Sequence, residues 1–190
     1  MQTLTKSEKI SLSTTEIAKL IRQQLKKEFK GCKFSVRSEY YSMGSSVSVY
    51  LMKADIRIKR SFEELTDYIF MRYKQNHYTP DQVKQLQGEG YHQLNPYTLR
   101  GDYDPDHWCN GVFLTEEGHK FLKRVVEIAD HYNYDDSDIQ TDYYSVNFSF
   151  SLSFGKWDKP FIDGADSGGQ PTIEPQKAEV VDWSKEVFQI

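Results

Sequence analysis

The fold class that this sequence predicts is α+β, with helices packed on one face of a mostly antiparallel sheet. Two observations carry the prediction. Capping boxes at Ser13-Thr14-Thr15-Glu16 and Ser61-Phe62-Glu63-Glu64 open stretches whose apolar residues recur at helical spacing. Runs near residues 33–38, 46–52 and 143–154 instead alternate apolar with small polar residues, the period of a half-buried strand.

Taken in order, Ser13 caps a helix in which Ile17, Leu20, Ile21, Leu25 and Phe29 form the inner stripe and Lys and Arg fill the other face. Gly31 stands where a left-handed residue ending that helix belongs. Phe34 and Val36 then alternate with Lys33, Ser35 and Arg37, and Val47, Val49 and Leu51 with Ser46, Ser48 and Tyr50, which predicts a hairpin joined by the turn around Ser42 to Ser46. Gly44 suits the positive φ that such a turn commonly needs. Ser61 leads a second helix with Phe62, Leu65, Ile69 and Tyr73 inward. Thr79-Pro80-Asp81-Gln82 starts a short polar one ending at Gly88 or Gly90. Thr115 caps a fourth, with Phe121, Val125, Ile128, Ala129 and Tyr132 inward.

The run YSVNFSFSLSF is the strongest pattern in the chain and predicts a long antiparallel strand. From residue 163 to 190 the chain turns to Gly, Ser, Asp and Pro before a short apolar end at Trp183 and Phe188, so residues 1–162 are read as one domain and residues 163–190 as an acidic tail. No internal repeat occurs.

With 190 residues, 38% of them hydrophobic, the chain can bury one core. Two cysteines, no charged-then-apolar leader and no apolar run of membrane-spanning length predict a reduced, cytoplasmic protein without a membrane segment. The net charge of -4 conceals an asymmetry: residues 1–60 hold 13 Lys and Arg against 5 Asp and Glu, and residues 61–190 hold 11 against 23.

Four features invite a chemical reading. The Ser42, Met43, Gly44, Ser45, Ser46 turn presents amides and hydroxyls, as phosphate cradles do, but it feeds a strand where a cradle normally feeds a helix. It reads either as a plain hairpin bend or as a contact site. Lys26, Lys27, Lys30, Lys33 and Arg37, with Tyr40 and Tyr41 close in sequence, combine the cations and rings that single-stranded nucleic acid requires, and are equally a solvated helix face. Asp135, Asp136, Asp138 and Asp142 lack the Gly and closing Glu of a calcium loop; they cap a turn or offer an acidic contact surface to a basic partner. His107 and Cys109 are the nearest approach to a metal pair, and no metal or other cofactor is assigned. Because no nucleophile elbow, phosphate-binding loop, zincin helix or Cys-His pattern occurs, no catalytic residue is assigned either.

The segment EIAKLIRQQLKKEFKGCKFSVRSEYYSMGSSVSVYL and the later GYHQLNPYTL and GKWDKPF pieces resemble the large polyvalent protein-associated domain 29 family, over roughly residues 8–162. That family occurs in phage, plasmid and other mobile-element proteins, sometimes as one module of very large polypeptides proposed to enter a host with the DNA. The resemblance therefore implies a non-enzymatic accessory or counter-defence protein, an anti-CRISPR-like inhibitor included, that binds a host defence protein or a protein–nucleic-acid complex. The family motif is densest at Arg37, Ser38, Tyr40, Tyr41, Ser42, Gly44, Ser45 and Ser46, which become the expected partner-binding residues. Direct single-stranded nucleic-acid binding by the basic N-terminal segment is the alternative, and an unrecognised hydrolase or nuclease the third.

Overall fold

The computed structural model describes residues 9, 11–65, 79–105, 108–109, 111–134, 140 and 145–164. Helix α1 spans Thr14–Glu28 and begins as its capping box dictates, the Glu16 amide donating to Ser13 Oγ and the Ser13 amide donating back to Glu16 Oε2 at 2.8 Å. It buries Ile17, Ala18, Ile21 and Leu25. The Phe29 amide closes it on the Leu25 carbonyl at 2.9 Å. Gly31 is not left-handed, as the sequence suggested. It is small because a β-carbon there would lie 2.1 Å from a carboxylate oxygen of Asp55.

Strands β1 (Lys33–Tyr41) and β2 (Gly44–Lys53) form the antiparallel hairpin, with only Ser42 and Met43 between them. The sheet is completed by β3 (His92–Leu94) and β6 (Ser149–Phe154) in the order β1-β2-β6-β3. The β1/β2 and β3/β6 pairs are antiparallel, so the α+β, mostly antiparallel expectation holds, but β6 runs parallel to β2.

β6 is also about half the length that the alternation of YSVNFSFSLSF promised. Upstream of Ser149 the chain bonds to the end of a helix in place of a neighbouring strand: Asn133 donates from Nδ2 to the Phe148 carbonyl at 3.1 Å, and Asn147 donates from Nδ2 to the Tyr132 carbonyl at 3.1 Å. Val146, an apolar position of that alternation, is exposed, while Phe148 is buried. Tyr144 lies outside the described residues.

Between β2 and β3 the second capping box closes only a 3-10 turn, Phe62–Glu64, after which Leu65 is extended. The Ile69 and Tyr73 positions of the expected helix lie outside the described residues. Helix α2 (Pro80–Gly88) starts and ends as predicted. The short helix α3 (Pro96–Arg100) follows β3, and a small hairpin of β4 (Trp108–Cys109) and β5 (Val112–Phe113) precedes helix α4 (Glu116–Tyr132), capped by Thr115. The core lies between the sheet and the helices α1 and α4. It joins Ile17, Ile21 and Leu25 to Val36, Val49, Leu51, Leu152 and Phe154, and to Leu122, Val125 and Ile128.

A strap at residues 160–164 locks the edge. The Ile162 amide donates to the Met52 carbonyl, the Ala54 amide donates to the Ile162 carbonyl, and the Gly164 amide reaches Ile56 at 3.1 Å. Asp163 is buried and accepts the amides of Ile58 and Lys59 at 2.8 and 2.9 Å. Asp163 and Gly164, placed in the tail by composition, thus pack into the folded unit.

Candidate binding face of the sheet

Directly paired residues share a face of a sheet, so the register sorts the residues that the hairpin motif groups together. Val36 with Val49, Ser38 with Val47, and Tyr40 with Ser45 face the helices; Ser35 with Tyr50, Arg37 with Ser48, and Glu39 with Ser46 face the other way. On β6, Ser149, Ser151 and Ser153 align with Ser46, Ser48 and Tyr50, and Gln93 of β3 aligns with Ser153.

On the helix side the hairpin residues have structural work. Ser45 is 9% exposed, and its hydroxyl lies 2.7 Å from that of Thr14 at the start of α1. Tyr40 is 62% exposed, yet its hydroxyl accepts the Thr15 amide at 3.3 Å; hydrogen bonding with the Thr15 side chain first, then with the Thr14 side chain and the Thr15 amide, lowers its pKa. Tyr41, paired with Gly44 and so in register with the opposite face, donates to the Ser45 carbonyl at 3.3 Å. Its ring lies against Gly44, whose φ of 159° is close to extended; at Gly44 the neighbouring Tyr41 ring, 3.3 Å from where a β-carbon would be, is the tighter restriction. Ser42 is an exposed loop residue, and Ser45 and Ser46 belong to β2 rather than to the turn.

The opposite face is covered by no described helix. Its middle is a patch of hydroxyls, in which Ser151 Oγ donates to Ser48 Oγ at 2.9 Å and Ser153 is buried beside Tyr50 and Gln93. Arg37 stands exposed in this face. Lys156 folds over it from the loop after β6, donating to Ser35 Oγ at 2.8 Å with its ammonium 5.0 Å from the centre of the Tyr50 ring. Burial first, and then the nearby Arg37 charge, lowers the Lys156 pKa; Asp158 opposes this.

The backbone that aims Lys156 is closely specified. Gly155 is left-handed at φ 52°, and a β-carbon there would meet the Gly90 carbonyl oxygen at 2.1 Å. Lys156 and Lys159 then exchange backbone hydrogen bonds of 2.7 and 3.0 Å, and Phe161 stacks on Phe154 at 4.9 Å. Trp157, at the tip, is 87% exposed.

The basic cluster is split. Lys26 and Lys27 lie exposed in the last turn of α1, with Lys30 and Lys33 exposed just beyond. Tyr40 and Tyr41 sit at the far end of β1, about 26 Å from Lys33 at ~3.3 Å per residue. The aromatic ring that does lie among the lysines, Phe29, packs on Phe34 and Phe121. Cations and rings close in sequence are therefore not side by side in space. Asp135, Asp136, Asp138, Asp142 and His107 lie outside the described residues, and Cys109 is buried. Among the described residues no group of three or more His, Cys, Asp and Glu is placed to hold a metal ion, and no helix is long and apolar enough to cross a membrane. The residue that sequence reasoning missed is Lys156. Its motif stood out in the sequence, but only the fold of the loop shows that it reaches Tyr50 and Ser35.

These features define an α+β domain with one face packed under helices and one polar face open. Residues 12–104, just under half of the chain, match the model of the family described as large polyvalent protein associated domain 29. The match is shorter than the resemblance read over residues 8–162: it ends after α3 and leaves out α4, β6 and Lys156. Comparison with curated proteins and with solved structures finds no match.

Proposed function

We propose that this is a non-enzymatic accessory protein of a mobile element, acting against host defence by binding a host protein or protein–nucleic-acid complex. The open face of the sheet is its contact surface. One observation supports the choice of face: Lys156 reaches onto it to donate to Ser35 Oγ at 2.8 Å, two residues from the exposed Arg37, and neither cation forms an ion pair with a described residue. Among the other described guanidinium groups, Arg22 engages the Val36 carbonyl, Arg57 Glu64, Arg100 Asp130 and Arg124 Glu28. Arginine is among the residue types that most often dominate interface energies.

The test is affinity capture from a bacterial lysate with the wild-type chain and with the Arg37→Gln/Lys156→Gln variant, with and without nuclease. The reading expects a discrete host complex held by the wild type and lost by the variant. Identical capture by both would move the contact surface elsewhere, with the exposed tip at Tyr41, Ser42 and Met43 the next to be substituted.

A further inference from the structure

We infer that the open face binds single-stranded nucleic acid by its phosphodiester backbone, with Arg37 and Lys156 as the paired cations and the hydroxyls of Ser35, Ser48 and Ser151 beneath them. The inference rests on the reading that this face is the contact surface, and it adds the chemistry of what is held there.

The groups on the face match a phosphodiester. Phosphate oxygens accept hydrogen bonds and carry charge, so they favour guanidinium and ammonium donors with hydroxyls close by. Arg37 is paired in register with Ser48, Ser48 accepts from Ser151, and Lys156 donates to Ser35, which places these five side chains in one patch. An anion seated between Arg37 and Lys156 relieves their mutual repulsion, which acts after burial, the larger cause, in lowering the Lys156 pKa. Glu39 is the one carboxylate in register on this face of β1, two residues beyond Arg37 towards the hairpin tip.

The same geometry limits what is read. Tyr50 is the aromatic ring within the patch, and the Lys156 ammonium already occupies one side of it. The exposed ring next to Lys156 is Trp157, at the tip of the loop, on which any base can stack, so binding is indifferent to sequence. A duplex is disfavoured by shape. The outer strands of a four-stranded sheet are roughly 14 Å apart before side chains are added, wider than the ~12 Å major groove that admits a helix or a two-stranded ribbon.

Fluorescence anisotropy of the full chain with labelled oligothymidylate and oligouridylate tests this, starting at about 50 mM salt, where screening is weak. Binding should weaken steeply with salt. Arg37→Gln/Lys156→Gln should weaken it at least ~10-fold and flatten the plot of log K against log salt by about 1.4, or ~0.7 for each charge removed from a single-strand contact. An unchanged urea midpoint shows that the variant is folded. A Lys26→Gln/Lys27→Gln/Lys30→Gln variant should retain most of the affinity. The inference is overturned if the wild type binds neither oligonucleotide, if the Arg37/Lys156 variant binds as well as wild type, or if the three-lysine variant takes the loss instead. It is also overturned if polyglutamate is bound in preference to the oligonucleotides, because the face then recognises an acidic protein. In each of these cases the proposed function is judged separately, by whether the Arg37/Lys156 variant still captures the host complex.

Discussion

Asp163 holds Ile58 in place through a carboxylate-to-amide hydrogen bond of 2.8 Å, formed across 105 residues of sequence, and its second oxygen takes the amide of Lys59. The position of the C-terminal end of the domain follows from that contact. Ending the chain after Gly164 keeps it, whereas ending it after Ile162 leaves a buried amide without an acceptor. Leaving such a donor unsatisfied costs about 1–3 kcal/mol. The shorter chain and Asp163→Ala should therefore lose about 1–3 kcal/mol in urea unfolding, and the chain ending at Gly164 much less. Equal midpoints for the two truncations would refute the role given to Asp163.

Ser45 and Ser46 are neighbours in sequence with opposite duties. Removing the Ser45 hydroxyl strands that of Thr14 in a buried seam, so Ser45→Ala should cost about 1–2 kcal/mol. Ser46→Ala, on the open face, should stay within ~0.5 kcal/mol. If Ser46 proves the costlier of the two in chemical denaturation, the assignment of faces is wrong.

The alternation of residues made these two faces visible in the sequence, and the Ser13 capping box and the Thr79-Pro80-Asp81-Gln82 stretch made the starts of α1 and α2 visible, because each signal is contained within a few consecutive residues. The length of β6 was not visible. It is cut short by Asn133, which lies 15 residues before Phe148 and competes for its carbonyl. Nor could spacing show that Gly31 answers to Asp55, or that Tyr40 points to the opposite end of β1 from the lysines. The contact face was half visible: Arg37 was named with the hairpin, but its companion Lys156 arrives from the far end of the chain.

Cys32 should be a slow thiol. It donates to Asp55 Oδ1 at 3.0 Å, and burial, reinforced by that carboxylate, pushes its pKa up to about 12. Because the thiolate is the reactive form, iodoacetamide at pH 8 should modify it at least ~10-fold more slowly than a free cysteine of pKa about 8.5. Asp55→Ala should speed the reaction. Alkylation of the native protein at the rate of free cysteine would contradict the contact.

Stability should fall in two stages on acidification. Partial burial, and then the positive charge of Lys9, lower the pKa of His131, so the unfolded chain takes up its proton first. That contribution is intact above the ordinary histidine value near 6.5 and is lost as pH falls below it. Glu28 is lowered chiefly by its hydrogen bonds with Arg124, and its contribution is present above the ordinary carboxylate range and lost at more acid pH. His131→Gln should flatten the upper stage of a stability-against-pH curve and leave the lower one, while Arg124→Gln should flatten mainly the lower one, its charge being only a minor cause of the His131 shift. A His131→Gln curve that still declines between pH 7 and 6 as the wild type does would assign that stage to another group.

Gly155→Ala should be among the most damaging substitutions outside the apolar core. It forces an L-residue into a left-handed backbone, at roughly 1–2 kcal/mol, and drives a methyl group into the Gly90 carbonyl. A melting temperature within a degree or two of wild type would show that the loop can relax.

The insertion of β6 between β2 and β3 dictates an order of events during synthesis. The α1–β1–β2 unit is local and can form as soon as about 53 residues have emerged, whereas β3 has no partner until residues 149–154 arrive. Until then β2 displays an unpaired edge, the kind of surface that recruits other chains. Ribosome-bound chains stopped before β6 should consequently be sensitive to proteases and dependent on chaperones, because β6 is the strand that turns two separate pieces into a single sheet.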